Sequence, residues 1–379
     1  MGPPAVEPVL PVLPVLPDYG GACLDAVVPT LMARREAPWC PLGATRASQV
    51  VLLVLDGLGW DQLAARPSLA PTLSAMVGGP ITSVVPTTTA TALTSITTGL
   101  APCQHGVMGY RLRLAGTGPQ GGDEVLNVLR WRTAAGDVRA RVAPGRFQPR
   151  PAFGGQPVPV VTRAEFGGSG FSAAHLVGGR LVGWRMPSTL VAQVRRELAA
   201  GQPFVYAYYD GVDKVAHEFG LDDRYDAEVA AADRLVADLV SALPAGAALV
   251  VTSDHGQVDV GDAGVVLDPE LAAATTMLSG EGRFRWLHAA GDVLELAAHA
   301  RALYGDRAWV RTREEAVAEG WFGGALSPAG EERLGDVAVV PHAPIAMLDP
   351  ADTGEVRMMS RHGSLTAAEM LVPLLVAEP

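Results

Sequence analysis

Three short segments of this chain, Val50–Leu55, Phe204–Tyr209 and Ala248–Thr252, are almost wholly apolar or aromatic, and each is followed by a polar loop and then a helical pattern. A strand that alternates polar and apolar residues shows one face to water, whereas a strand apolar at nearly every position must be covered on both. The pattern therefore predicts an α/β fold with a mostly parallel central sheet flanked by helices. Asp226–Leu243 predicts one covering helix, with Val229, Leu235, Val236, Leu239, Val240 and Leu243 on one side and Asp233, Arg234 and Asp238 turned toward solvent. At 379 residues, 49% of them hydrophobic, the chain can supply the core such a sheet demands.

Around this core the composition shifts. Residues 1–45 open with "MGPPAVEPVLPVLPVLPDYG". The repeated prolines and the lack of a basic start argue against a signal peptide and predict an extended, polyproline-like arm. Residues 46–257 and 341–379 are assigned to the core. Residues 258–340, which mix short strands with the helical pattern "DVLELAAHARALYG", are assigned to a smaller inserted α+β region beside it. The stretch from Arg111 to Gly155 is rich in Gly, Arg and Pro and has little periodicity.

Charge and cysteine content exclude several classes of partner. A formal net charge of −11 is the wrong sign for a nucleic-acid polymer, whose binding rests on clustered Lys and Arg. No apolar run approaches the length of about 18 residues that spans a membrane. Cys23, Cys40 and Cys103 are odd in number and have no metal-like spacing, which predicts free thiols and a cytoplasmic location.

The first apolar run ends on a carboxylate: "VVLLVLDGLGWDQL" places Asp56 directly after Leu55. Three readings are open. Asp56 caps the next helix; or Gly57 and Gly59 begin a dinucleotide-binding turn, although Gln62 stands where the third glycine belongs; or Asp56 is a metal ligand at the carboxyl end of a parallel strand. The last needs partners, and the chain offers them. "DGVDKVAH" sets Asp213 and His217 four apart, on one face of a helical turn. "TSDHG" ends another apolar strand on Asp254 and His255, and "SRHGSLT" adds His362. Three Asp and three His with no cysteine suit two divalent ions, zinc or else manganese, with positions left open for substrate.

A nucleophile is available in "ITSVVPTTTATALTSITTGLAPCQHGV", where a threonine cluster precedes a helical stretch. Some of these threonines serve as caps; one, with a metal to ionise it, could attack phosphorus at a helix N-terminus. Taken together, "VLDGLGWD", "PTTTATALTSITTGLAPCQHGV", "DGVDKVAH", "TSDHG" and "RHGSLT" resemble, in order, the motifs of the alkaline phosphatase superfamily and, within it, the type I phosphodiesterase/nucleotide pyrophosphatase family. The resemblance implies an alkaline-phosphatase-like fold and a nucleophile at Thr89. It implies one metal held by Asp213, His217 and His362, and another by Asp56, Thr89, Asp254 and His255. Ala92 stands where the family has an Asn that donates to a phosphoryl oxygen, so the Thr91 hydroxyl is the candidate substitute and His105 a further candidate near the substrate.

The expected activity is metal-dependent hydrolysis of phosphodiester or phosphoanhydride bonds in a small phosphate-ester or nucleotide-like substrate, through a phosphothreonine. A phosphomonoesterase or phosphonate hydrolase would share the same ligands. A catalytically silent metal-binding protein is the alternative of another class. His175, His288, His299 and His342 are expected at the surface or in hydrogen bonds. Arg283 and Arg285 are read either as solvated charge or as binders of a substrate phosphate or carboxylate.

Overall fold

The computed structural model describes residues 12–352 and 357–378. Among these residues a seven-stranded sheet forms the centre, in the order Val77–Thr82, Leu371–Ala377, Ala247–Thr252, Gln49–Leu55, Phe204–Tyr209, Pro159–Arg163, Arg180–Trp184. Gln49–Leu55 pairs in parallel with Ala247–Thr252 on one side and with Phe204–Tyr209 on the other. Leu371–Ala377 runs antiparallel to both of its neighbours.

Both faces of the sheet are covered, as the unbroken apolar runs require. Successive side chains alternate between faces. Val50, Leu52 and Val54 join Tyr206, Tyr208, Ala248 and Val250 in one core, while Val51, Leu53 and Leu55 join Val205, Ala207, Leu249 and Val251 in the other. The helix Thr89–Thr98 covers the first face; the helices Pro187–Ala199 and Asp223–Ser241 cover the second.

The proposed arm needs correction. Its first eleven residues lie outside those described, but Leu24–Met32 is a helix, with Leu24, Val27, Val28 and Leu31 buried in the first core. That i, i+3, i+4, i+7 spacing outweighs Pro29, which removes a single backbone donor. The low-periodicity stretch also holds structure, a small antiparallel sheet of Arg111–Leu114, Glu124–Asn127, Arg132–Thr133 and Gly136–Asp137. Further on, Thr275–Glu281, Phe284–Ala289, Val337–Pro341 and Ala308–Thr312 form a four-stranded antiparallel sheet, and the helix Val293–Tyr304 packs against it.

Asp233, expected in solvent, is buried. Its carboxylate accepts from the backbone N–H of Thr72 (3.2 Å) and Leu73 (2.8 Å), at the start of the helix Pro71–Ala75, whose own cap residue, Ala70, has no side-chain acceptor. Asp238 and Arg234 are exposed, as the helical face predicts. Asp233→Ala is therefore expected to lower unfolding free energy by about 1–3 kcal/mol, because it strands two helix-end donors. Asp238→Ala should stay within about 0.5 kcal/mol of the parent. Urea midpoints at a common m-value check both.

Candidate active site

Strands in a sheet lie about 4.8 Å apart, so residues that leave the carboxyl ends of adjacent parallel strands emerge within reach of one small ion. Leu55 is in register with Tyr209, and Val54 with Thr252. Asp56 follows the central strand, Asp213 lies in the first turn of the helix Gly211–Phe219 after one neighbour, and Asp254 and His255 follow the other. Asp56 is no helix cap. The next helix, Trp60–Ala64, starts on Gly59 without a side-chain acceptor.

Gly57 has a different task from the phosphate turn considered for it. Its φ is +75°, and a Cβ there would lie 2.9 Å from that of Asp213. This tight passage lets the Gly57 N–H donate to Asp254 Oδ1 at 3.1 Å.

Each buried carboxylate has one oxygen engaged and one bare. Asp254 Oδ1 also accepts from the His255 N–H at 3.1 Å, and Asp56 Oδ2 accepts from the Tyr208 hydroxyl. Asp56 Oδ1 and Asp254 Oδ2 have no hydrogen-bond donor. His255 Nε2 lies 3.3 Å from the first and 3.5 Å from the second. Its Nδ1 faces the Gly256 carbonyl at 3.0 Å, which can only accept, so in the neutral ring the proton sits on Nδ1 and Nε2 presents a lone pair. Three lone pairs converge with nothing positive among them.

The second group repeats the device. His217 Nδ1 donates to the Ser360 carbonyl at 2.7 Å and His362 Nδ1 to the Thr87 carbonyl at 2.8 Å, leaving their Nε2 atoms 3.2 and 3.8 Å from Asp213 Oδ1. Asp213 Oδ1 is steadied by the Gln257 amide at 2.6 Å. Within each triad, Asp56/Asp254/His255 and Asp213/His217/His362, the potential ligand atoms lie within 4.8 Å of one another. Two possible metal-binding triads therefore meet here, joined where the rings of His255 and His362 stack at 3.4 Å. The orphaned carboxylate oxygens and the oriented imidazoles fit divalent cations.

Thr89 is the first residue of its helix, and its Oγ1 lies 3.2 Å from His255 Nε2. Thr87 ties this segment to the His362 loop: its hydroxyl donates to the Ser364 carbonyl at 2.7 Å and accepts from the Gly363 N–H at 3.0 Å. Thr94, Thr97 and Thr98 bond to carbonyls of the preceding turn, so most of the cluster is structural.

The electrostatics are those of a site awaiting positive charge. Burial, and then the neighbouring Asp254 and Asp213, hold the Asp56 carboxyl well above the usual carboxylate range. Burial foremost raises Asp254 too. Burial, reinforced by His255 and His217, pushes the His362 imidazolium well below its ordinary value, which leaves the ring neutral.

Two candidate substrate contacts are displaced. His105 is buried against the far part of the Thr89 helix, with Nε2 2.8 Å from Ser95 Oγ and Nδ1 accepting from the Val107 N–H. Burial lowers its pKa to about 3, so it is a neutral structural link. Thr91 is fully buried and lines neither cavity beside Thr89. Arg283 and Arg285 are neither solvated nor open to substrate. Arg283 makes a buried two-pronged pair with Glu369 (3.1 and 2.7 Å), and Arg285 donates to the Met347 carbonyl. Glu369 in turn accepts from the Ser364 N–H, which roots the His362 loop in the four-stranded sheet.

An apolar cavity of about 220 Å³ adjoins Thr89 and Asp56, walled by Leu93, Leu129, Phe166, Phe171, Tyr206 and Tyr208 among others. Sequence periodicity had not singled out Tyr208, Gln257 or Thr87, whose partners lie 44 to 277 residues away.

The family model described as type I phosphodiesterase / nucleotide pyrophosphatase matches residues 50–365. No curated protein matches the chain in sequence. Among solved structures, murine ectonucleotide pyrophosphatase/phosphodiesterase 5 superposes with a TM-score of 0.62 at 18% identity, over 87% of this chain and 88% of that one. An inactive variant of the murine protein, in complex with AMP, gives 0.61 at 16%, over 86% and 87%. Phosphonoacetate hydrolase from Sinorhizobium meliloti 1021, in complex with phosphonoformate, gives 0.60 at 21%, over 88% and 91%. These likenesses extend the alkaline-phosphatase-like fold over nearly the whole chain.

Asp254→Asn keeps an acceptor for Gly57 and His255 but removes one of two repelling buried charges. It should weaken binding of added zinc or manganese while the metal-free protein melts no lower than the parent. The sign with pH follows from the raised carboxyls. A folded pKa above the unfolded one contributes stability at low pH that is lost as pH rises from about 4. Metal-free Asp254→Asn should show a shallower decline of melting temperature with pH than metal-free parent. Metal analysis and calorimetry read both effects.

Proposed function

The chain belongs to the type I phosphodiesterase/nucleotide pyrophosphatase family, and from that membership and the paired triads we propose that it hydrolyses phosphodiester or phosphoanhydride bonds of small nucleotide-like substrates through a phosphothreonine at Thr89. The observation that carries this reading is the position of the Thr89 hydroxyl, 3.2 Å from His255 Nε2 in a triad whose carboxylates each keep a bare oxygen. Asp213, His217 and His362 would hold one divalent cation and Asp56, Asp254, His255 and Thr89 the other; zinc or manganese there would favour the threonine alkoxide and the charge on the departing oxygen.

The rest is the work of the chain. Thr89 Oγ, ionised with loss of its proton to solvent, bonds to phosphorus as the bond to the departing oxygen breaks; water then cleaves the Oγ–P bond and frees Thr89. The first N–H groups of the Thr89 helix lack intrahelical acceptors and favour the phosphoryl oxygens. This supplies donors where Ala92, fully buried, offers none. Leu93, Phe166 and Phe171 give the organic part of the substrate a dry wall to lie on. The AMP held by the murine relative supports a nucleotide-like occupant. A cytoplasmic location belongs to the same reading and is supported by three buried free cysteines.

Ala92 also favours a second reading, a phosphomonoesterase or phosphonate hydrolase using the same ligands. Side-by-side turnover of bis(p-nitrophenyl) phosphate and p-nitrophenyl phosphate, in saturating zinc or manganese, separates the two. Turnover of neither would favour a silent metal-binding protein. Thr89→Ala is expected to lower turnover by roughly 10³-fold or more and to abolish acid-trapped phosphoprotein while both metals stay bound. Thr89→Ser should keep measurable activity. Phosphate trapped on another residue would overturn the assignment.

A further inference from the structure

A second cavity, also about 220 Å³, shares Thr89, Leu129 and Asp213 with the apolar one, and its wall includes His217, His362 and Arg130. Its charged residues are unequal in availability. Asp213 belongs to a ligand triad, while Glu281 and Arg361 are buried and engaged within the protein. Arg130 is exposed. Its backbone N–H donates to Asn127 Oδ1 at 3.0 Å, yet among the described residues no ion pair or hydrogen bond engages its guanidinium.

The turn that carries Arg130 is held in place at a conformational cost. It joins Glu124–Asn127 to Arg132–Thr133, strands paired through Asn127 and Arg132. Trp131, directly after Arg130, has a φ of +53°, a left-handed conformation unfavourable for a bulky residue. Its ring is fully buried. The indole N–H donates to the Val142 carbonyl at 2.7 Å, the ring meets Phe147 edge-on at 5.4 Å, and a Cβ on Gly170 would collide with it at 2.3 Å. Val128, at the other end of the turn, is buried as well. The two anchors fix the residues between them, Leu129 and Arg130, on the walls beside Thr89.

An unpaired guanidinium recognises phosphate or carboxylate through paired N–H donors. In a chain with a net charge of −11, it also offsets a field that repels anions. We propose that Arg130 forms an anion subsite for a second negatively charged group, phosphate or carboxylate, borne by the part of the substrate beyond the scissile bond. The enzyme would then prefer phosphoanhydrides, or phosphonates with an anionic tail, to diesters whose departing group carries no charge of its own. This rests on the phosphoryl-transfer reading above.

The test compares parent, Arg130→Ala and Arg130→Lys in kcat/KM for ATP and for bis(p-nitrophenyl) phosphate, with pyrophosphate and phosphonoacetate binding measured by calorimetry on the metal-loaded proteins. Arg130→Ala should lose roughly 10- to 100-fold on ATP, at least tenfold more than on the diester, and bind pyrophosphate correspondingly weakly. Arg130→Lys should recover part of both. Weakened phosphonoacetate binding alone would assign the subsite to carboxylate, and weakened pyrophosphate binding alone to phosphate. Arg132→Ala, two residues further along the chain and outside the cavity, should leave the substrate ratio at the parent value. Equal losses on both substrates, or unaltered binding of both anions, would overturn the subsite. If the parent turns over neither substrate, the phosphoryl-transfer reading fails, and anion binding still decides the role of Arg130.

Discussion

Asp56 and Asp254 are almost wholly buried, side by side, with one oxygen of each left without a donor. Desolvation and mutual repulsion both oppose ionised carboxylates in such a place. The backbone nevertheless holds them there, because Asp56 and Asp254 leave adjacent strands packed into a core on each face, so that sliding either strand would disrupt two close-packed layers at once. Core packing therefore sustains an electrostatic cost that a cation removes. Much else in the molecule can be understood as the means of keeping those oxygens bare and turning the Nε2 atoms of the imidazoles toward the carboxylates.

That means is a set of backbone carbonyls. His217, His255 and His362 each donate Nδ1–H to a main-chain oxygen, of Ser360, Gly256 and Thr87 respectively. A side-chain partner could rotate away; a carbonyl inside a packed segment holds both ring orientation and tautomer. Because Ser360 and Thr87 lie in different parts of the chain, the arrangement couples the Thr89 segment, the Asp213 helix and the C-terminal loop. Any shift among them alters the geometry of the triads at once.

The four-stranded sheet participates in this coupling. Through the buried Arg283–Glu369 pair and the Ser364 N–H, it braces the loop that carries His362. A buried ion pair adds little net stability over an apolar substitute, but its geometry is restrictive, and that restriction holds the loop that carries His362. The small antiparallel sheet contributes from another direction, with a turn anchored by Trp131 and Val128. The central sheet thus sets the charged centre, while segments outside it shape the two cavities.

How much of this could be read beforehand depended on range. Apolar runs and helical spacing are local, so Val50–Leu55, Phe204–Tyr209, Ala248–Thr252 and most of the helix after Asp222 were evident, as were the ligand types that close those runs. The helix Leu24–Met32 was masked by Pro29 and its proline-rich surroundings, although its apolar spacing was present. Asp233, Arg283 and Arg285 looked like surface charge because the partners that bury them, Thr72, Glu369 and Met347, lie 161, 86 and 62 residues away. His105 sat near the threonine helix in sequence but bonds to Ser95, well down from its N-terminus. The sequence by itself determined a doubly covered, mostly parallel sheet with Asp and His at its strand ends, because periodicity and residue chemistry act over a few neighbours. Only the tertiary structure decided which oxygens stay bare, which nitrogen of each histidine faces inward and that the unpaired Arg130 lies beside Thr89, because each depends on neighbours that folding alone brings close.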